Sequence, residues 1–384
     1  MDVRHRITTP RIRTKISAKR RFFASPGKNR RINPLPAPKH RTPTKPYFCP
    51  FTRRSPEHSG RRRGASNFKL QTFTHLGIKA FAPASIGNIG IGFDIMGLCL
   101  EKPGDEVIAR KSDTPGLRIT KITGAGGKLS TDIDKNTAGV AARSLLEQLG
   151  ETGRGIELEI HKKMPFGSGL GSSAASAAAA VLAVSELLRT GLSKRELLRA
   201  ACLGEQVASG SFHADNAAPS LLGGIMLIRD NATLDVHRIH VPKGLCVAVV
   251  YPQVEVLTKA ARGILKPDVL LAQHVRQSAN IGAFIIGMFN ADIALIGRSL
   301  SDEIIEPQRA TLIPGFYDVK EAAMTTEGVL GCSISGSGPS VFAFCANSLA
   351  AEQAGAAMQR AFARHQVESE IFLSPINQEG AVIC

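Results

Sequence analysis

Pro165-Phe166-Gly167-Ser168-Gly169-Leu170-Gly171-Ser172-Ser173-Ala174-Ala175-Ser176 is the stretch on which the reading of the whole chain turns. Just upstream, residues 156–163 (IELEIHKK) alternate apolar and polar side chains, the period of a half-buried strand. Just downstream, Ala174 to Arg189 is rich in Ala and Leu and contains no Gly or Pro, the composition of a helix. Three glycines at alternate positions permit positive φ and close backbone approach, while Ser172 and Ser173 fall where the helix begins. The amides of the first helical turn and the positive end of the dipole would then face an anion, and a phosphate fits best. The same residues would also serve as a plain flexible connection into a tightly packed helix, so taken alone they leave both readings open.

Two familiar phosphate loops do not fit. No Gly-Lys-Ser/Thr ending is present, which excludes a Walker A loop. The acid that a dinucleotide site places about twenty residues on would have to be Glu186, which lies within the same helix.

With 384 residues the chain has room for two domains and a sizeable core. Its net charge of +16 suggests nucleic acid until its distribution is read. Residues 1–78 hold twenty Lys and Arg against Asp2 and Glu57, a surplus of +18, and the remainder holds 28 basic and 30 acidic residues, a balance of −2. The extension 1–77 is Arg-, Pro- and Ser-rich and cannot bury enough surface to offset chain entropy, so disorder is expected there. A transit peptide, a basic arm for nucleic acid and an upstream-start artefact are its three readings, and length and prolines favour the artefact. The folded body is expected to be cytoplasmic (organellar if the extension targets it), without a nucleic-acid partner or membrane span. Seven cysteines, none spaced as a metal pair, read as free, mostly buried thiols.

Strands are expected at 78–83, 106–110, 117–120, 225–229, 245–251, 329–334, 341–345, 367–373 and 380–383. Helices are expected from Asn136 or Thr137 to Gly150, from Ser193 to about Ser209, and over 258–265, 269–289, 291–301, 316–327 and 349–364. Residues 210–224 read as irregular. Strands and helices interspersed in both halves indicate an α+β protein of two lobes.

Two further Gly-rich segments flank the central one: Ala84-Ser85-Ile86-Gly87-Asn88-Ile89-Gly90-Ile91-Gly92-Phe93-Asp94 and Ser333-Ile334-Ser335-Gly336-Ser337-Gly338-Pro339-Ser340. This trio, in this order, resembles the GHMP small-molecule kinases over residues 78–384. The segments Asn136-Thr137-Ala138, residues 204–210 (GEQVASG), 213–216 (HADN) and 258–262 (TKAAR) resemble its homoserine branch. The resemblance implies a two-lobed fold. Its first lobe (78–235) would be like the second domain of ribosomal protein S5, and its second (236–384) ferredoxin-like. It implies ATP and Mg²⁺ as cofactors and L-homoserine as phosphoryl acceptor, with the hydroxyl attacking the Mg-bound γ-phosphate directly. Residues 165–176 would wrap the triphosphate, Ser173 and Glu205 would hold Mg²⁺, and Asn136 would lie near the adenine. Asn88, Asp94, His213, Asn216, Arg262 and Arg309 would form the homoserine site. Ser335, Gly336 and Ser337 would approach from the second lobe, Asp215 would be orienting or structural, and a homodimer is the assembly to be considered.

The residue chemistry agrees. Homoserine carries a carboxylate and an ammonium; Arg262 or Arg309 can grip the first bidentately, and Asp94 with the Asn88 and Asn216 amides suits the second. Ser173 and Glu205 offer the oxygen ligands that a hard cation on phosphate requires. Plainer roles are a solvated helix face for Glu205, a surface position for either arginine and a structural hydrogen bond for His213. A kinase for another alcohol such as mevalonate, or nucleic-acid binding through the extension, are the rival readings.

Overall fold

The computed structural model describes residues 77–384, so the expectations for the basic extension, with Cys49, lie outside the described residues. Strands β1 (Ile78–Gly87), β2 (Met96–Lys111), β3 (Leu117–Thr123), β4 (Ile156–His161), β5 (Ile225–Asp230) and β6 (Asp235–Ile239) belong to one sheet. β3 and β4 pair in parallel, and the other neighbours are antiparallel. Helices α1 (Thr137–Leu149) and α2 (Ser172–Leu188) pack on it, and α3 (Lys194–Ser209) packs against both of them. Ala174, Ala175, Ala177, Ala178, Ala179, Ala180 and Ala183 of α2 are wholly buried. Side chains that small let α2 approach β1, β2, α1 and α3 together, and a Leu at such a position would overpack the core by about 1–3 kcal/mol.

The second sheet has the order β10-β7-β9-β8, built from β7 (Cys246–Pro252), β8 (Val329–Ile334), β9 (Val341–Cys345) and β10 (Ser369–Pro375). Numbered within that lobe this is the 4-1-3-2 order of a ferredoxin-like sheet, as expected. β9 shows why it is covered on both faces. Val341, Ala343 and Cys345 join the core under α9 (Phe316–Met324) and α10 (Ser348–Arg364). Phe342 and Phe344 point the other way, and Phe344 meets Phe284 of a long helix, Leu271–Asn290, edge to face at 6.2 Å. The final strand, β11 (Val382–Ile383), leaves this lobe and pairs with β1, completing seven strands in the first sheet.

Local readings differ in a few places. β2 begins ten residues before the expected strand at 106–110, because Lys102-Pro103-Gly104 reads as a turn and hides its continuity. A helix, α4 (Ala217–Leu222), forms inside the segment read as irregular, where Pro219 and the glycines at 223 and 224 mask the signal. β6 was not anticipated. The remaining helices are α5 (Thr258–Gly263), α6 (Leu271–Asn290), α7 (Ile293–Ser299) and the single-turn α8 (Glu306–Arg309). Cys99, Cys202, Cys332 and Cys345 are buried, Cys246 is half-buried and Cys384 exposed, all as free thiols. Burial pushes the Cys345 thiol up to about 12. No helix among the described residues is long and apolar enough to cross a membrane.

Candidate active site

The three Gly-rich segments meet. Gly167, Gly169 and Gly171 all adopt positive φ, at 66°, 76° and 67°. At Gly169 a Cβ would lie 2.6 Å from the Gly338 carbonyl oxygen and 2.7 Å from that of Ser335, so backbone packing as well as φ demands glycine. The Ser335 hydroxyl donates to the Gly169 carbonyl at 2.7 Å, and the Ser340 amide to that of Ser168 at 3.2 Å. From the first segment, the Ser85 amide donates to the Leu170 carbonyl at 3.0 Å. The turn is thus held from both sides, and it delivers the chain into α2 at Gly171, where no side chain caps the helix. The first-turn amides, with the dipole behind them, open into a cleft of about 270 Å³.

Below the turn lies a buried polar network that the sequence reading missed. Asp105, fully buried at the end of a Lys-Pro-Gly corner, pairs with the Lys162 ammonium. It also accepts from the Ser172 and Ser176 hydroxyls, each at 2.9 Å, and from the Lys163 amide at 3.0 Å. Lys162 donates in turn to the Ser172 carbonyl at 2.8 Å and the Ser176 hydroxyl at 2.7 Å. The network ties β2, the end of β4 and the first turn of α2 into one unit. Asp105→Asn leaves the Lys162 charge buried without its counter-ion, and a loss of about 3–5 kcal/mol in denaturant unfolding is expected.

The opposite wall carries both signs of charge. Asp94 and Arg262 form a two-pronged ion pair, with Arg262 Nη1 and Nη2 donating at 2.9 and 2.8 Å. Asn88 accepts from the Asp94 amide at 3.0 Å and donates to the Gly336 carbonyl at 2.9 Å, which links the first and third Gly-rich segments. Both Asn88 and Asp94 have positive φ, a conformation Asn and Asp tolerate better than most residues. Arg309 is 3 % exposed and donates to the carbonyls of Gly336 at 2.9 Å and Ala261 at 3.2 Å. Burial, then the neighbouring Arg262, pushes its pKa down to about 10. The two guanidinium groups each lie 5.2 Å from the Phe93 ring, an aromatic platform that sequence reasoning also missed although it directly precedes Asp94.

Between these walls sit His213, Asp215, Asn216 and Glu205, all lining the cleft. Asp215 bonds to His213 Nδ1 and accepts from Asn216 Nδ2 at 3.1 Å; Asn216 Oδ1 accepts from the Ser85 hydroxyl at 3.0 Å. Asp215 therefore orients its neighbours, with one oxygen committed to each. Burial disfavours a charged His213 ring, but the Asp215 carboxylate outweighs it and the pKa rises to about 9. A raised histidine pKa contributes stability that is fully present below the ordinary value of 6.5 and lost as pH climbs through 9. Thermal stability should accordingly fall between pH 6.5 and 9 in the wild type and stay flatter in His213→Gln; parallel profiles would show that the ring is not charged in the fold.

The donor chemistry separates two metal candidates. Asp94, His213 and Asp215 offer ligand atoms within 4.8 Å of one another, but Asp94 is committed to Arg262 and His213 Nδ1 to Asp215. Glu205 is different: its Oε2 is buried with no hydrogen-bond partner, and burial pushes its pKa up to about 7 against the opposing effect of the Ser173 hydroxyl. Ser173 and Glu205 thus form an all-oxygen pair with an unsatisfied acceptor beside the α2 terminus, which fits a hard cation. Of the other expected residues, Phe166, Gly167, Ser168, Gly169, Gly171 and Ser172 line the cleft, while Leu170, Ala174, Ala175 and Ser176 are buried behind it. Pro165 is not on its wall. Nor is Asn136, expected near the adenine: its side chain caps α1, accepting from the Ala138 and Gly139 amides and donating to the Ser130 carbonyl. Its neighbour Thr137 takes the wall position.

An uncapped helix terminus under a glycine turn, facing a charged wall across two such lobes, defines a small-molecule kinase of the GHMP class. The pattern described as GHMP kinases N terminal domain matches residues 136–224, and that described as GHMP kinases C terminal matches residues 284–364. A homoserine kinase of Chlorobium phaeovibrioides is 46 % identical over 317 residues, spanning 80 % of this chain and 99 % of that protein. The chain belongs to the homoserine kinase family. The crystal structure of homoserine kinase from Cytophaga hutchinsonii matches with a TM-score of 0.78 at 47 % identity, covering 83 % of this chain and all of that one. L. major mevalonate kinase, at 16 % identity and a TM-score of 0.61 over 78 % of this chain and 96 % of that one, shares the fold alone.

Proposed function

We propose that this chain transfers the γ-phosphoryl group of ATP to the side-chain hydroxyl of L-homoserine, giving O-phospho-L-homoserine for threonine synthesis. The observation that carries this reading is the pairing of Asp94 with Arg262 on the wall opposite the uncapped α2 terminus. A zwitterionic amino acid can replace such a pair ion for ion, ammonium on Asp94 and carboxylate on Arg262, whereas an uncharged alcohol offers neither charge and leaves the pair closed on itself. Arg309, with two donors already on carbonyls, supplies positive potential and holds the third Gly-rich segment in place.

The backbone amides of residues 167–173 receive the phosphate oxygens, and the network under Asp105 keeps that turn from moving as charge shifts between them. Ser173 and Glu205 would hold Mg²⁺, which when bound neutralises phosphate charge. The acceptor hydroxyl oxygen bonds to the γ-phosphorus as the bond to the bridging oxygen breaks and ADP leaves, and its proton passes to an oxygen of the transferred phosphoryl group rather than to a dedicated protein base: both Asp215 oxygens are occupied, one by His213 and one by Asn216. We assign nucleotide binding to a lobe spanning 78–235 and the second lobe to 236–384, with β11 reaching back. ADP release by the full-length protein should be high with homoserine and near background with mevalonate, shikimate or galactose. Equal rates on mevalonate would defeat the assignment.

A further inference from the structure

Two groups hold the Arg262 guanidinium in the cleft, and a zwitterionic acceptor would detach it from one of them. The first is Asp94, which takes both Nη1 and Nη2, at 2.9 and 2.8 Å. Arg262 Nε is buried without a hydrogen-bond partner, so no other polar contact within the described residues fixes the group. Its helix adds little restraint: α5 is six residues long, no side chain caps its first turn, and the flanking Leu257 and Ile264 are exposed. The second is the ring of Phe93, which lines the cleft with the guanidinium carbon over it at 5.2 Å. Once a substrate ammonium draws Asp94 away, the ring is the contact that remains.

Phe93 suits that task because its own position does not depend on substrate. The Gly92 amide donates to the Asn88 carbonyl at 2.8 Å and the Asp94 amide to the Asn88 side chain at 3.0 Å. The Asp94 carbonyl accepts from the Asn231 amide group at 3.1 Å, so the backbone is tied down on both sides of the ring. The same ring lies 5.2 Å from the guanidinium of Arg309, which is anchored separately on the Ala261 and Gly336 carbonyls. Two neighbouring cations repel, and Arg262 is among the causes that lower the Arg309 pKa. An aromatic quadrupole within reach of both offsets part of that repulsion.

We propose that Phe93 is a positioning residue for the acceptor: it keeps Arg262 in place to receive a carboxylate while Asp94 is turned to the ammonium. This rests on the assignment of homoserine as acceptor. Calorimetric titration of homoserine into the full-length protein, alongside steady-state rates, tests it. Phe93→Leu should raise the Kd and KM for homoserine about tenfold, with kcat and the KM for ATP changed less than about twofold, the pattern of lost uniform binding. Pentafluorophenylalanine in place of Phe93 should do the same, because it keeps the shape of the ring and reverses the sign of its face. In Arg262→Ala, which lacks the group being held, Phe93→Leu should add less than about threefold to the homoserine KM. A purely packing role gives the opposite pattern: the fluorinated ring would bind homoserine like the wild type, and Phe93→Leu would keep its full effect in Arg262→Ala. Either result overturns the proposal, as does an ATP KM that rises together with that for homoserine. A wild type that binds no homoserine would overturn the acceptor assignment itself, and the role of Phe93 with it.

Discussion

Glu205→Gln is expected to lower turnover at least about a hundredfold, about 3 kcal/mol of transition-state stabilisation, and to raise the Mg²⁺ concentration needed for half-maximal rate. The size follows from the position. Glu205 is buried, its Oε2 has no partner, and the amide replacement keeps the shape while removing the charge that a cation would meet. A second readout needs no substrate. With its folded pKa raised from 4.5 to about 7, Glu205 contributes stability that is present below 4.5 and lost as pH rises through 7. In metal-free buffer, Glu205→Gln should therefore remove part of the wild type's decline in melting temperature across that window. Unchanged metal dependence of the rate would take Glu205 out of the site.

Arg262→Ala should raise the KM for homoserine about a hundredfold, the scale of one two-pronged charge-assisted contact, while the KM for ATP changes little. Asp94 then faces the cleft unpaired, so the ammonium end of the substrate retains its partner and residual activity should persist at high homoserine. Arg309→Ala should behave differently. Its donors hold the Gly336 and Ala261 carbonyls, so that variant should lose thermal stability along with substrate affinity. Were ATP affinity to collapse in Arg262→Ala instead, the two walls of the cleft would have been assigned the wrong way round.

Much of the cleft is legible in the amino-acid sequence because its chemistry is local. The alternate glycines of 167–171 demand positive φ, and their place between an alternating strand and an Ala-rich helix announces a helix terminus free to meet an anion. The long pairings were not legible. Asp105 sits beside a Pro-Gly corner like any surface acid, and nothing within several residues of it reveals the Lys162 ammonium, 57 positions on. Phe93 likewise becomes a platform only when arginines 169 and 216 residues away fold over it. Asn136 shows a local role that the reading left out: its side chain is satisfied by the two amides just after it.

Backbone conformation and the identity of the phosphate-facing loop follow from the amino-acid order, since glycine φ, helix starts and strand periodicity are set by neighbours in the chain. The partners of each charge were decided by tertiary packing alone. Whether Glu205 is a solvated helix residue or an orphaned acceptor depends on what folds over it, and the groups around it, Ser173, His213, Asp215 and Lys162, all come from outside its own helix. The same holds for α6: its sequence shows an apolar helix, but only the folded arrangement shows that Phe284 and Met288 are buried while Leu271 and Phe289 are left exposed.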